Sequence, residues 1–230
     1  MTAARVLKPR PHLTAPVEDY LKAIYDLERS GEPAETNAIA RRLGIAPASV
    51  SGMVRRLARQ RLITHEKYHG ASLTPAGRRA ALMTLRRHRV IEAYLTKALG
   101  YSWDRVHDEA ERLEHAASDE LIDRMAKSIG KPATDPHGAP IPSREGTLRE
   151  RAVVPLASLP EGALARVERV SDESPARLRY LAELGIVPGA PVKLVERAPF
   201  AGPITIKVGS TGKSIGAELA SQILVIPRRS

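Results

Sequence analysis

The sequence predicts a mainly α-helical protein with small β parts: an N-terminal winged helix-turn-helix, a helical middle domain and a C-terminal SH3-like β-barrel. Three observations predict it. Apolar residues recur at helical spacing through most of the stretch from residue 17 to about 129. Within it, residues 36–74 read as helix, glycine turn, helix and two short β-prone runs. Past Val153 the pattern changes to short β-prone runs separated by glycines.

The elements follow in order. Val17, Leu21, Ile24, Tyr25 and Leu27 mark a first helix, with Pro16 at its start and Gly31 and Pro33 after it. Thr36 and Asn37 are expected to cap a short second helix through Ile39 and Leu43, closed by Gly44. A third helix follows Pro47, with Val50, Val54 and Leu57 on one face. Leu62–Thr64 and Ser72–Thr74, joined around His69 and Gly70, form a two-stranded wing. Pro75 opens a long helix over 76–99, stopped by Gly100, and a second is expected to run unbroken over 103–129. A proline-rich loop leads to the polar segment 143–152, a linker candidate. Beyond it, β-prone runs at 163–170, 191–196, 204–208 and 223–226 surround a helical stretch at 176–184.

Composition narrows the function. The 230 residues carry 36 Lys+Arg against 26 Asp+Glu, a formal charge of +10 that attracts a polyanion, nucleic acid above all. The absence of cysteine excludes disulfides, thiolate metal sites and cysteine nucleophiles, and fits a cytoplasmic protein. No apolar run approaches the ~20 residues that span a bilayer, so no membrane association is expected. Residues 1–15 form a basic arm.

The third helix is the expected DNA reader, placed for the major groove. Its small residues Pro47, Ala48, Ser49, Ser51 and Gly52 allow close approach to base edges and thymine methyls. Arg55, Arg56 and Arg59 are placed to meet phosphates, with Thr36 and the wing residue Lys67 adding contacts. The blander alternative is a small helical core with a solvated arginine face.

A second constellation lies in the long helices. His88 and Glu92 are four apart and share a face. His107, Glu111, Glu114 and His115 stand at i, i+4, i+7 and i+8, again one face. Such a stripe repels itself when the acids are ionised; a divalent metal, salt bridges or full solvation would each satisfy it. A carboxylate–histidine metalloenzyme is the competing function, although no HExxH pair, phosphate-cradling glycine loop or Ser/His/Asp pattern accompanies the cluster. His12, His65 and His69 are not assigned to metal, and His137, in a DPHG turn, is given a turn-and-packing role.

With these pieces in order, the chain resembles the diphtheria-toxin-repressor family of iron- and manganese-dependent regulators. The matching segments are PVEDYLKAIYDLE at 16–28, the helix-turn-helix at 39–57, LTPAG at 73–77, RRHRVIEAYL at 86–95, HDEAERLEH at 107–115 and DPHGAPIP at 135–142. The resemblance implies a winged helix at 16–80, a dimerisation and metal-binding domain at 81–142, a linker at 143–152 and an SH3-like domain at 153–230. It implies a homodimer on a palindromic DNA operator, repressing metal-homeostasis genes, with two metal sites per protomer. The effector site would use Asp19, Glu111, Glu114 and His115; the ancillary site would use His88, Glu92 and His107, with Asp172 and Glu173 as candidates to complete it. Iron-responsive members place Met and Cys where this chain has Asp19 and Glu111, so the harder set favours Mn²⁺ over Fe²⁺, with Zn²⁺, Co²⁺ or Cd²⁺ binding in vitro. Two departures stand out. Lys22 replaces a glutamate that bridges close metals in short manganese sensors, which predicts separated sites, and Gly52 replaces a glutamine of the iron type.

Overall fold

The computed structural model describes residues 13–66, 70–171, 174–200 and 202–228. The chain divides into two compact units, Met1–Thr84 and Leu85–Ser230.

In the first unit, α1 (Ala15–Ser30) starts after Thr14 with a proline in its first turn and ends at Gly31, whose φ of 76° gives the left-handed closure. Helix α2 (Thr36–Leu43) begins one residue earlier than capping chemistry suggested: Thr36 is already helical, and Glu35 occupies the cap without a side-chain hydrogen bond. Helix α3 (Pro47–Arg59) follows the turn through Gly44. Leu21, Ile24, Ile39, Val50 and Leu57 are fully buried where the three helices meet, each worth about 1.5–3 kcal/mol relative to exposure. Strands β1 (Ile63–Glu66) and β2 (Gly70–Leu73) pair antiparallel from Ile63 against Leu73 to Glu66 against Gly70. The wing packs tightly on its neighbours: a Cβ at Gly77 would lie 1.9 Å from the Leu62 carbonyl oxygen, so only glycine fits where α4 (Pro75–Leu99) begins.

In the second unit, the stretch expected as one helix over 103–129 is two, α5 (Val106–Leu113) and α6 (Asp119–Ser128). Ser118 interrupts it: its hydroxyl accepts the Leu121 N–H, and Asp119 and Glu120 fill the first turn of α6. That is an N-cap followed by acids favourable to the helix dipole. Apolar periodicity continues across the break and hides it. Val90, Ile91, Val106, Ala110 and Ile122 form the core of this helical part.

The C-terminal part is an antiparallel sheet of order β3-β8-β4-β5-β6-β7 among the described residues. Its strands are β3 (Val154–Pro155), β4 (Leu164–Arg169), β5 (Pro191–Arg197), β6 (Ile204–Val208), β7 (Thr211–Ile215) and β8 (Leu224–Pro227). Helices α7 (Pro175–Glu183) and α8 (Ala217–Gln222) cover it. Val167, Leu194, Ile206 and Val225 are its fully buried centre, and Trp103 from the helical part packs against that core. The runs around β4, β5, β6 and β8 were legible as β-prone; β7, TGKSI, is polar and short, and β3 and α8 span two and six residues.

Candidate metal centre and nucleic-acid face

Helix α3 turns its apolar residues inward and leaves the expected reading face in solvent. Pro47, Ala48, Ser49, Ser51, Gly52, Arg55, Arg56 and Arg59 are all exposed. None of Arg55, Arg56 and Arg59 makes an ion pair with another described residue, whereas Arg41 and Arg42 of α2 pair with Glu32 and Asp26. Unneutralised guanidinium groups beside a surface of small side chains suit a phosphate backbone and base edges. A Cβ at Gly52 would meet nothing within 4 Å, so packing does not require that glycine. Thr36 is half-buried at the start of α2. Lys67 and His69 of the wing, and His12 of the arm, lie outside the described residues.

The second unit gathers the histidines and acids of α4 and α5 into one knot, buried at His88, Glu92 and Glu114 and half-buried at His107, Glu111 and His115. His88 is 3% exposed, and Glu92 and Glu114 are both 0% exposed. His88 Nδ1 lies 2.6 Å from Glu114 Oε2, and its Nε2 lies 3.1 Å from Glu92 Oε1. His107 Nδ1 is 3.2 Å from His88 Nε2 and 3.5 Å from Glu92 Oε1. Glu111 Oε1 stands 3.6 Å from His88 Nδ1 and 3.8 Å from His107 Nε2. His115 Nε2 is 3.6 Å from Glu114 Oε1. Glu114 keeps helical dihedrals although α5 ends at Leu113, which carries the stripe one residue past the last turn.

The two ligand sets assigned by resemblance are therefore contiguous, with His88 touching Glu114 of one and Glu92 of the other. Asp19 lies half-buried on α1 of the first unit. Asp172 and Glu173 lie outside the described residues.

Electrostatics make the knot a site under tension. Burial disfavours a charged His88, but the carboxylates of Glu92 and Glu114 outweigh it and push the imidazole up to about 10. Burial likewise opposes ionisation of Glu92, and His88, His107 and His137 nevertheless hold it well below the usual carboxylate range. Neither Glu92 oxygen completes a well-aligned hydrogen bond, despite full burial. A buried carboxylate costs several kcal/mol without a cation, and protonated His88, 3.1 Å away, supplies one. His88, Glu92 and His107 offer donor atoms all within 4.8 Å of one another, as do His88, Glu111 and Glu114. Oxygen and imidazole donors at that spacing fit a divalent ion.

The turn-and-packing role expected of His137 is met. His137 is 1% exposed, and its Nδ1 lies 3.8 Å from Glu92 Oε1. Its ring packs as expected, stacked on the Trp103 indole with centroids 5.9 Å apart.

Comparison with known proteins agrees with these features. The pattern described as "Iron dependent repressor, N-terminal DNA binding domain" matches residues 12–71, "Iron dependent repressor, metal binding and dimerisation domain" matches 74–143, and "FeoA domain" matches 154–227. The iron-dependent repressor IdeR of Mycobacterium leprae is 33% identical over 221 residues, covering 90% of this chain and 95% of that protein. The diphtheria toxin repressor of Corynebacterium jeikeium is 42% identical over 125 residues, 54% of this chain and 52% of its own. Among solved structures, a manganese-dependent transcriptional repressor in complex with manganese superposes with a TM-score of 0.87 at 38% identity, covering 92% of this chain and all of that one. The manganese regulator SloR gives 0.77 at 32% identity, over 92% and 98% of the two chains. Members of this family are repressors and not enzymes, which sets aside the metalloenzyme alternative. The chain belongs to the iron-dependent repressor family, that of the diphtheria toxin repressor, whose members are metal-dependent, DNA-binding and dimerising transcriptional repressors.

Proposed function

We propose that the chain is a Mn²⁺-responsive repressor of metal-homeostasis genes, acting in the cytoplasm as a homodimer on a palindromic operator. One observation carries this reading: the knot of α4 and α5 offers only carboxylate and imidazole donors, in a chain without cysteine. Hard donors of that kind suit Mn²⁺. Asp19, Glu111, Glu114 and His115 make up the effector site, and His88, Glu92 and His107 the ancillary site, two per protomer.

When bound, a divalent ion would take over from protonated His88 the neutralisation of the buried acids. The chain's own residues do the rest. Glu92 and Glu114 present carboxylates at zero exposure, His88 gives up its shared proton to become a donor, and α3 presents its small and cationic residues to DNA. A hundredfold activation of binding corresponds to about 2.7 kcal/mol of coupling, within the ordinary allosteric range.

A second metal is favoured by one observation: the IdeR relative, an iron-dependent repressor, is 33% identical over 90% of this chain. The test is a metal panel on operator DNA recovered by selection. Under anaerobic conditions, Mn²⁺ should drive binding at lower free concentration, relative to cellular supply, than Fe²⁺, Zn²⁺, Co²⁺ or Cd²⁺. Asp19→Ala and His115→Ala should each abolish the Mn²⁺ response while leaving the dimer intact. A normal response in the His115 variant would refute the effector assignment.

A further inference from the structure

Strands β4, β5 and β6 turn alternate side chains to opposite sides, as the strand period of two requires. Ala165, Val167, Val192, Leu194 and Ile206 are buried in the sheet core, whereas Arg166, Lys193 and Lys207 are exposed on the other side. Lys193 stands directly opposite Lys207 in the β5–β6 register, which brings their Cβ atoms to about 5 Å. Leu164 lies opposite Lys193 on β4 and is itself 47% exposed, with Arg166 two residues along. Arg228, also exposed, extends the row: its backbone N–H donates to the Leu164 carbonyl at 2.8 Å.

The packing of the sheet does not account for these four cations. Like charges directly opposite each other destabilise a sheet. None of Arg166, Lys193, Lys207 and Arg228 makes an ion pair or side-chain hydrogen bond with another described residue. The acids of the same strands do not neutralise them: Glu168 pairs with Arg151, and Glu196 stands opposite Thr205. Lysines often guard the open edge of a sheet, but in the order β3-β8-β4-β5-β6-β7 these strands are interior. A row of unneutralised positive charge, kept although it strains the sheet, is what a polyanion-binding face requires.

We propose that the exposed face of β4, β5 and β6 binds the phosphate backbone of double-stranded DNA without reading its sequence. Neighbouring strands are about 4.8 Å apart, so the row from Arg228 across β4 and β5 to Lys207 spans roughly 14 Å. A duplex presents about eight phosphate charges over that length. Lysine suits such a role, since it contributes a point charge and no fixed geometry. DNA is also the polyanion that a member of this repressor family meets, through the DNA-binding domain matched at residues 12–71. The sheet face adds affinity, and sequence choice stays with that domain.

The inference is independent of the metal assignment, so metal-free protein tests it. Chelator-stripped full-length protein is titrated onto a labelled duplex lacking any operator, across a range of salt concentrations. In the double variant Lys193→Gln, Lys207→Gln the slope of log affinity against log salt should become shallower by about 2, with affinity at low salt falling at least about tenfold. Both substitutions lie on the surface and relieve a like-charge pair, so the melting temperature should not fall, and that measurement checks the fold. Adding Arg166→Gln should flatten the slope by about one more. No binding by the wild type at low salt, or an unchanged slope and affinity in the folded double variant, would overturn the proposal. So would a double variant that keeps wild-type DNA binding but loses a labelled poly-glutamate peptide, which would give the face to an acidic protein segment.

Discussion

The exposed face of α3 and the knot between α4 and α5 are the two helix faces proposed to function, yet the fold treats them oppositely. On α3 the functional residues are exposed and the fold asks nothing of them; even Gly52 has open space around it. In the knot the proposed ligands reach the interior, with Glu92 and Glu114 at zero exposure and His107, Glu111 and His115 half-buried. Recognition of DNA needs a surface that can be changed without unfolding the protein. Sensing a metal needs acids held out of water, so that binding the ion is also completion of the core.

The sharpest way to break this comparison is Glu114→Ala. In the knot it leaves the buried His88 Nδ1 without its carboxylate acceptor while Glu92 still faces Nε2, which should cost the metal-free protein about 1–3 kcal/mol in denaturant unfolding and also remove the metal response. Ser49→Ala on α3, by contrast, should leave stability within about 0.5 kcal/mol. A Glu114 variant as stable as the wild type would mean that the knot is not under tension.

Next in size is the pH dependence of the metal-free protein. His88 is raised from 6.5 to about 10 on folding. The stability it contributes is fully present below pH 6.5 and is lost as pH rises through about 10. Thermal melting in chelator should therefore fall across that window, and saturating Mn²⁺ should flatten the fall because the bound ion needs a deprotonated imidazole. The same chemistry predicts proton release on Mn²⁺ binding, measurable by calorimetry in buffers of different ionisation enthalpy.

On α3 the effects are on DNA alone. Arg55→Ala or Arg59→Ala should weaken binding about equally on all sequences and lower the slope of log affinity against log salt by about 1. A sequence-selective loss would move the residue from phosphate to base contact. The smallest effect belongs to Gly52→Ala, which should stabilise the fold by up to about 1 kcal/mol while weakening DNA binding, since the added methyl group points into the reading face.

The same contrast explains what was legible beforehand. Helical spacing alone placed Val50, Val54 and Leu57 inward and Arg55 and Arg59 outward, because a period of 3.6 decides sides. It also put His88 and Glu92, and His107 and Glu111, on common faces. It did not reveal that His88 would bond to Glu114 across two helices, since that distance is set by packing around Ile91, Val106 and Ala110. The break at Ser118 was missed because apolar periodicity continues through it, although Ser118-Asp119-Glu120 is a helix start in its own right. His137 packs as expected, but which residues its ring meets was not legible. A turn signal describes the backbone of a loop and says nothing of where a side chain in it is buried.

The central claim is that metal gates DNA binding. The most direct measurement incubates sheared genomic DNA with chelator-stripped protein, with and without Mn²⁺, and sequences what is retained. A few palindromic promoter sites enriched only with Mn²⁺ is the predicted result; equal enrichment in both samples would contradict the gate.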